Sequence, residues 1–266
     1  MAAEPCAYLF VDGGYLQMVW RERMVPFIGE QLQISYPRLL LCAGMYVRKA
    51  LYYDCLDDIA RDGEPEEEYR RRVERQEKVF NEIRSLDRYH VQLGTLRGTQ
   101  RRRRQKGVDV LLTVDMLTNA FRQNFTNAVL LAGDLDFKPV VQSLVQSGTD
   151  VLVLWDARSG SEELAFAADS QRRIMLDDLW NWSDHLLRSG SENLFPKREN
   201  WVTEPHTHAV RQGVAGDRKF SVYEEGEKFI WYFPSTGILE SLKLVFHSFE
   251  TLERYVIDDF GPITWL

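Results

Sequence analysis

Three stretches of the chain are apolar without alternation: AYLFV (7–11), AVLLA (128–132) and VLVLW (151–155). A strand buried on both faces reads this way, since neither side needs a polar residue, and such strands belong to parallel sheets covered by helices. MYVRKALYY (45–53) is a fourth candidate strand and YHVQL (89–93) a fifth. Between these runs the period lengthens to that of helices. PRLLLCA (37–43) follows Ser35, with Pro37 in the first turn where its missing N–H costs little. PEEEYRRRVERQEKVFNEIRSL (65–86) carries Tyr69, Val73, Val79, Phe80 and Ile83 as an intermittent apolar stripe. DVLLTVDMLTNAFRQ (109–123), FKPVVQSLVQ (137–146) and SEELAFAA (161–168) complete the helices, with Pro139 tolerated in a first turn.

Strands alternating with helices predict an α/β domain over residues 1–185, with a mostly parallel sheet and helices on both faces. Residues 186–216 lose the periodicity and read as a linker. Residues 217–266 read as a small α+β domain of unassigned role: a hairpin turning near Glu225-Gly226, then a capped amphipathic helix over 248–260. Its aromatics Phe220, Tyr223, Phe229, Trp231, Tyr232 and Phe233 suit the core of so small a unit, base stacking being the other use for them.

Composition narrows the class. At 44 % hydrophobic and 27 % charged residues the chain reads as soluble and globular, and no apolar run is long enough to cross a bilayer. Its N-terminus lacks a basic, signal-like start. Cys6, Cys42 and Cys55 form no CxxC pair and fit buried thiols in a reducing cytoplasm. The net charge of −7 argues against tight, non-specific nucleic-acid binding, while leaving local contact open. His206 and His208 form an HxH pair without further ligands nearby, so no metal is expected there.

Topology then sorts the carboxylates. Parallel α/β sheets bind ligands at the carboxyl ends of their strands. Asp12, Asp54 and Asp156 each follow a candidate strand, and so does the pair Asp134 and Asp136 in GDLDF. Asp109 opens a crossover helix and belongs to the same edge. Asp115 lies six residues further on, about 9 Å down the axis and about 120° around it, toward the body of the domain. Asp169 ends its helix and falls at the opposite edge. Any one of these aspartates alone is a good helix cap or turn residue. Several together repel, by roughly 4 kcal/mol for a pair about 4 Å apart at an effective dielectric of 20, so the group binds protons or cations. An all-oxygen set suits Mg²⁺ or Mn²⁺.

The segments YLFVDGGYL, ALYYD, KGVDVLLTVDML, AVLLAGDLDFKPVVQSLVQSGTDVLVL and SEELAFAAD resemble, in order, the NYN family of PIN-like ribonucleases, in its LabA-like branch. The likeness spans about residues 5–180, and its most specific part is KGVDV paired with GDLDF. The resemblance implies a PIN-like α/β/α sandwich whose acidic residues hold Mg²⁺ or Mn²⁺ and cleave RNA, in single-stranded form. The family's acidic positions map onto Asp12, Asp109, Asp134 and Asp136, and Asp115 matches a further recurring acid; with the strand-end Asp54 and Asp156 it makes a second tier. Two departures bear on substrate handling: Tyr15 stands where many relatives have Asn, and Leu135 where many have Ser.

The implied mechanism is metal-assisted phosphodiester hydrolysis, with Asp12 and Asp134 as central ligands and Lys106 beside the scissile phosphate or simply on the surface. Arg97, Arg101, Arg102, Arg103 and Arg104 precede the helix of Asp109 and read as a basic loop suited to phosphate. Ser159 and Ser161 can cap the helix after the strand 151–155, contact phosphate, or both. A PIN-like module that binds RNA or protein without cleaving is the alternative function. A haloacid-dehalogenase-type phosphatase needs its DxD after the first strand, where this chain has Asp12-Gly13-Gly14. Activity on DNA, a homo-oligomer, and a protein partner at the C-terminal segment all stay open.

Overall fold

The computed structural model describes residues 6–99, 102–191, 193–236 and 239–266, with backbone alone for 95–99 and 102–106. In chain order the elements begin with β1 (Ala7–Asp12), α1 (Gly13–Val19), a π-helical turn (Trp20–Met24) and α2 (Val25–Ile28). Then come α3 (Tyr36–Leu39), continued by a 3-10 turn (Leu40–Ala43), β2 (Val47–Cys55) and α4 (Glu66–Arg84). β3 (Tyr89–Thr99), β4 (Arg102–Lys106), α5 (Val108–Phe121) and β5 (Asn127–Leu131) follow. A 3-10 turn (Leu135–Phe137) leads into α6 (Lys138–Gln146), β6 (Asp150–Trp155), α7 (Glu162–Ala165) and β7 (Ser170–Arg173). The remainder holds α8 (Leu176–Asn181), a 3-10 turn (His185–Leu187), β8 (Lys197–Asn200) and β9 (Arg211–Ala215). β10 (Arg218–Glu225), β11 (Lys228–Phe233), β12 (Leu242–Phe246), α9 (Phe249–Phe260) and β13 (Ile263–Trp265) close the chain.

Two compact units result: residues up to Trp20 together with Ser35–Ile174, and Arg21–Ile34 together with Met175–Leu266. The first is the PIN-like α/β fold. Its sheet has the order β4-β3-β2-β1-β5-β6-β7, parallel throughout except for the β3/β4 pair. The apolar runs explain the centre. β1 lies between β2 and β5, and Ala7, Tyr8, Leu9, Phe10 and Val11 are all buried. Tyr8 and Phe10 join Leu51, Tyr53, Leu112, Met116, Leu130 and Val153 in one core cluster. Truncating Phe10 to Ala there removes about 3–5 kcal/mol.

The order of the strands decides where a ligand goes. From β1 the chain builds β2 and β3 on one side, then returns to build β5, β6 and β7 on the other. The topological switch point lies between β1 and β5, and in open α/β sheets the crevice outside it is the binding position.

The second unit is an antiparallel sheet, β13-β9-β10-β11-β12-β8, with α9. The hairpin between β10 and β11 pairs Glu225 with Lys228, turning at Gly226-Glu227. Ser248 caps α9 by accepting from Thr251 N at 3.3 Å. Residues 186–216, expected to be a linker, instead supply β8 and β9 to this sheet. Residues 175–185, expected in the first domain, and 21–34, within it in sequence, also belong to the second unit. Arg23 explains the latter. Its guanidinium is buried and pairs with both Asp258 and Asp259 at 2.6 Å. Leu176 N also donates to Asp259, at 3.0 Å. Burial outweighs this cation and pushes the Asp259 carboxyl up to about 7. Phe220, Tyr223, Trp231, Tyr232 and Phe233 are buried, and Phe220 stacks on Trp231 at 4.5 Å, so these rings serve as core.

Cys42 and Cys55 are buried free thiols, whereas Cys6 is half-buried. Among the described residues no helix is long and apolar enough to cross a membrane.

Candidate active site

An open cleft of about 790 Å³ lies at the carboxyl edge of the first unit's sheet. Asp12, Gly14, Tyr15 and Met18 line it from the end of β1 and the start of α1. Asp109 contributes from the first turn of α5, and Gly133, Asp134 and Leu135 from beyond β5. The turn between β6 and α7 adds Arg158, Ser159, Gly160 and Ser161. The carboxylates therefore flank the switch point.

Two of them also cap helices. Tyr15 N donates to Asp12 Oδ1 at 3.0 Å, starting α1. Asp136 N donates to Asp134 Oδ1 at 2.9 Å, starting the 3-10 turn. Capping engages one oxygen of each carboxylate, and at Asp12 the backbone N–H favours the charged form. Burial nonetheless dominates at Asp12 and pushes its carboxyl up to about 6, and the charges of Asp109, Asp54 and Asp134 add to the rise. Asp109 is also raised, by partial burial first and then by Asp134 and Asp136. Asp12 and Asp109 thus link these five carboxylates electrostatically. Asp136 is exposed and is not among the residues that line the cleft. As they stand, among the described residues, no three His, Cys, Asp or Glu side chains are gathered closely enough to hold a metal ion.

The second tier is engaged elsewhere. Asp54 lies within β2 rather than after it, buried, accepting from Cys55 N at 2.8 Å and Tyr52 OH at 3.2 Å. Burial raises its carboxyl to about 6. Asp115 points into the body of the unit, where Tyr53 OH donates to its Oδ2 at 2.9 Å. Asp156 is 2 % exposed and organises its own turn: Ser159 Oγ donates to its Oδ2 at 2.9 Å and Arg158 N at 3.2 Å. Asp54, Asp115 and Asp156 are all absent from the cleft lining. Asp169 accepts from Val151 N at 2.9 Å, at the amino end of β6, the opposite edge.

Tyr15 joins the two sides of the cleft. Its hydroxyl accepts from Asp156 N at 2.8 Å, and burial pushes its own pKa up to about 12. The ring passes so close to Gly133 that a Cβ there would overlap it. At Gly160 a Cβ would lie 2.8 Å from the Tyr15 hydroxyl and 2.9 Å from the Asp156 carbonyl oxygen. These glycines are needed for close approach, since a methyl group has no space. Ser161 N donates to Gly133 O at 2.8 Å, a second tie across the cleft. Sequence reasoning marked Tyr15 only as a departure and did not select Arg158. The signal for Tyr15 was the pair of glycines after β5 and β6; nothing in the sequence singled out Arg158.

Ser159 and Ser161 both line the cleft, and Ser161 also caps α7, accepting from Leu164 N at 3.3 Å. The basic run was expected to be a loop. Its backbone instead forms the β3/β4 pair, with Arg97 opposite Arg104 and Thr95 opposite Lys106. Arg101, and the side chains of Arg97, Arg102, Arg103, Arg104 and Lys106, lie outside the described residues.

A family model described as the NYN domain matches residues 7–175. Among solved structures, a crystal structure of a protein of unknown function from Vibrio parahaemolyticus RIMD 2210633 is 22 % identical, covering 67 % of this chain and 98 % of that one, with a TM-score of 0.47. So distant a likeness carries no functional argument. No curated protein matches the chain.

Proposed function

The chain belongs to the NYN domain family, and on that premise we propose that it is a metal-dependent endoribonuclease cleaving RNA at the cleft of Asp12, Asp109 and Asp134. One observation carries the reading: three carboxylates from three separate elements flank the switch point, and their repulsion adds to burial in raising Asp12 to about 6. Such a set gains by taking up a cation.

The donors fit Mg²⁺ or Mn²⁺, being hard oxygens with no thiol or imidazole among the described lining residues. Asp12 and Asp134 would hold the ion centrally, each through the oxygen its cap does not use. Asp109 would complete the set directly, and Asp136 through water. Closing the set would require the exposed Asp109 side chain to turn inward. Bound there, a divalent ion supplies charge stabilisation for the phosphoryl oxygens and a more acidic water. Asp12 and Asp134 are themselves oriented by their caps, which fixes their direction before substrate arrives. Lys106, three residues before Asp109, is assigned to the scissile phosphate on sequence position alone.

A second reading is a PIN-like module that binds RNA or protein without turnover. It is favoured by the carboxylates standing too far apart to grip an ion as they are, and by Leu135, 43 % exposed, projecting into the cleft lining. One assay separates the two: labelled single-stranded RNA with Mn²⁺, the native protein against Asp134→Asn. The nuclease reading expects cleavage by the native protein and its loss in the variant, whose amide retains the capping oxygen. Equal inertness on several RNAs favours the binding module.

A further inference from the structure

We propose that Arg158 is a substrate-binding residue of this cleft, holding a phosphate of the RNA strand from the turn between β6 and α7. The inference rests on the nuclease reading and deepens it. Arg158 is the one basic side chain among the described residues that line the cleft, whose other charged members are Asp12, Asp109 and Asp134. An RNA strand carries a negative charge at every phosphate, so a cleft walled by three carboxylates repels it. A cation bound among the carboxylates relieves that repulsion at one phosphate. A second phosphate needs its own positive partner, and Arg158, exposed and lining the cleft, is the residue that carries that charge.

The backbone beneath Arg158 is built to hold that position. Asp156, 2 % exposed, accepts from Arg158 N at 3.2 Å and from Ser159 Oγ at 2.9 Å. Gly160 N donates to Asp156 O at 2.8 Å. Tyr15 OH accepts from Asp156 N at 2.8 Å, linking the turn to the start of the helix that Asp12 caps. The backbone that carries Arg158 is therefore tied to the start of α1 by buried contacts and by one aromatic ring. Ser161 accepts from Leu164 N and keeps its own hydroxyl proton, a donor for the same phosphate. Ser159, whose proton goes to Asp156, has none to give. Of the two serines in this turn, the geometry assigns phosphate contact to Ser161.

The test uses the full-length protein with Mn²⁺ and a labelled uridine homopolymer RNA, comparing the native protein with Arg158→Ala, Arg158→Lys, Ser161→Ala and Ser159→Ala. Thermal melting verifies that each variant is folded. Losing a charged hydrogen bond should raise KM about tenfold in Arg158→Ala, with a smaller change in kcat. Arg158→Lys should recover part of this. RNA binding measured across salt concentrations should lose about one unit of log–log slope in Arg158→Ala. Ser161→Ala should raise KM more than Ser159→Ala. Native cleavage with unchanged KM and salt slope in Arg158→Ala overturns the assignment and leaves the nuclease reading standing. A native protein inert on RNA with Mn²⁺ overturns both.

Discussion

Replacing Asp12 by Asn should make the metal-free protein more stable at neutral pH, although Asp12 caps α1. Asp12 Oδ1 accepts from Tyr15 N, and the amide keeps that oxygen, so the start of α1 survives. What disappears is a charge that the fold disfavours. In the unfolded chain the carboxyl titrates near 3.8, in the folded protein near 6. A folded pKa above the unfolded one means that the folded state binds the proton more tightly. The associated stability is fully present below about pH 4 and is lost as pH rises through 6. The gap corresponds to about 3 kcal/mol above pH 6, and solvent in the open cleft screens it to about 1–3 kcal/mol. For a unit of this size that is a rise in Tm of roughly 3–8 °C at pH 7.5. Thermal melting in the presence of a chelator, from pH 7.5 down to pH 4, reads the effect. The expected difference is largest at pH 7.5 and closes as pH falls. Equal melting at pH 7.5, or a difference that widens on acidification, refutes the account of Asp12. Adding Mn²⁺ should stabilise the native protein and not the variant.

Three further outcomes follow from contacts. Gly133→Ala should lower the unfolding free energy by about 1–3 kcal/mol, read as a fall in the urea midpoint, because the added methyl overlaps the Tyr15 ring; an unchanged midpoint contradicts the close packing. Asp115→Asn should retain far more RNA cleavage than Asp134→Asn, since Asp115 serves Tyr53, and its stability loss should resemble that of Tyr53→Phe. Loss of cleavage equal to that of Asp134→Asn would place Asp115 in the site. Arg23→Ala leaves Asp258 and Asp259 buried without their cation and should cost about 3–5 kcal/mol in calorimetric unfolding of the second unit; a cost below about 1 kcal/mol rules out the pair as its anchor.

Much of the first unit is legible because its strands are buried on both faces. AYLFV, AVLLA and VLVLW became β1, β5 and β6 within a residue of their expected ends. Position at strand ends, and for Asp109 at the start of a crossover helix, placed Asp12, Asp109 and Asp134 at one edge and Asp169 at the other. What periodicity cannot tell is where a carboxylate at a strand end points. Asp156 looks like Asp134 in sequence, yet it folds under its own turn. α1 escaped because GGYLQMV opens with two glycines and spans under two turns, its start being fixed by the Asp12 cap. β8 and β9 escaped because KREN and RQGVA are short and polar, and pair only through tertiary context. The basic run reads as solvated loop for the same reason. Charge says where water is welcome, and a strand at the sheet's edge satisfies that as well as a loop.

The central claim is that Asp12, Asp109 and Asp134 share a divalent cation. A crystal of the native protein soaked in Mn²⁺ tests it directly, read at the manganese absorption edge. The account predicts an anomalous peak in the cleft within coordination distance of Asp12 and Asp134, with Asp109 turned toward it, and no such peak in Asp134→Asn. A native crystal whose cleft shows no peak at saturating Mn²⁺, or whose only peak lies away from these three residues, contradicts it.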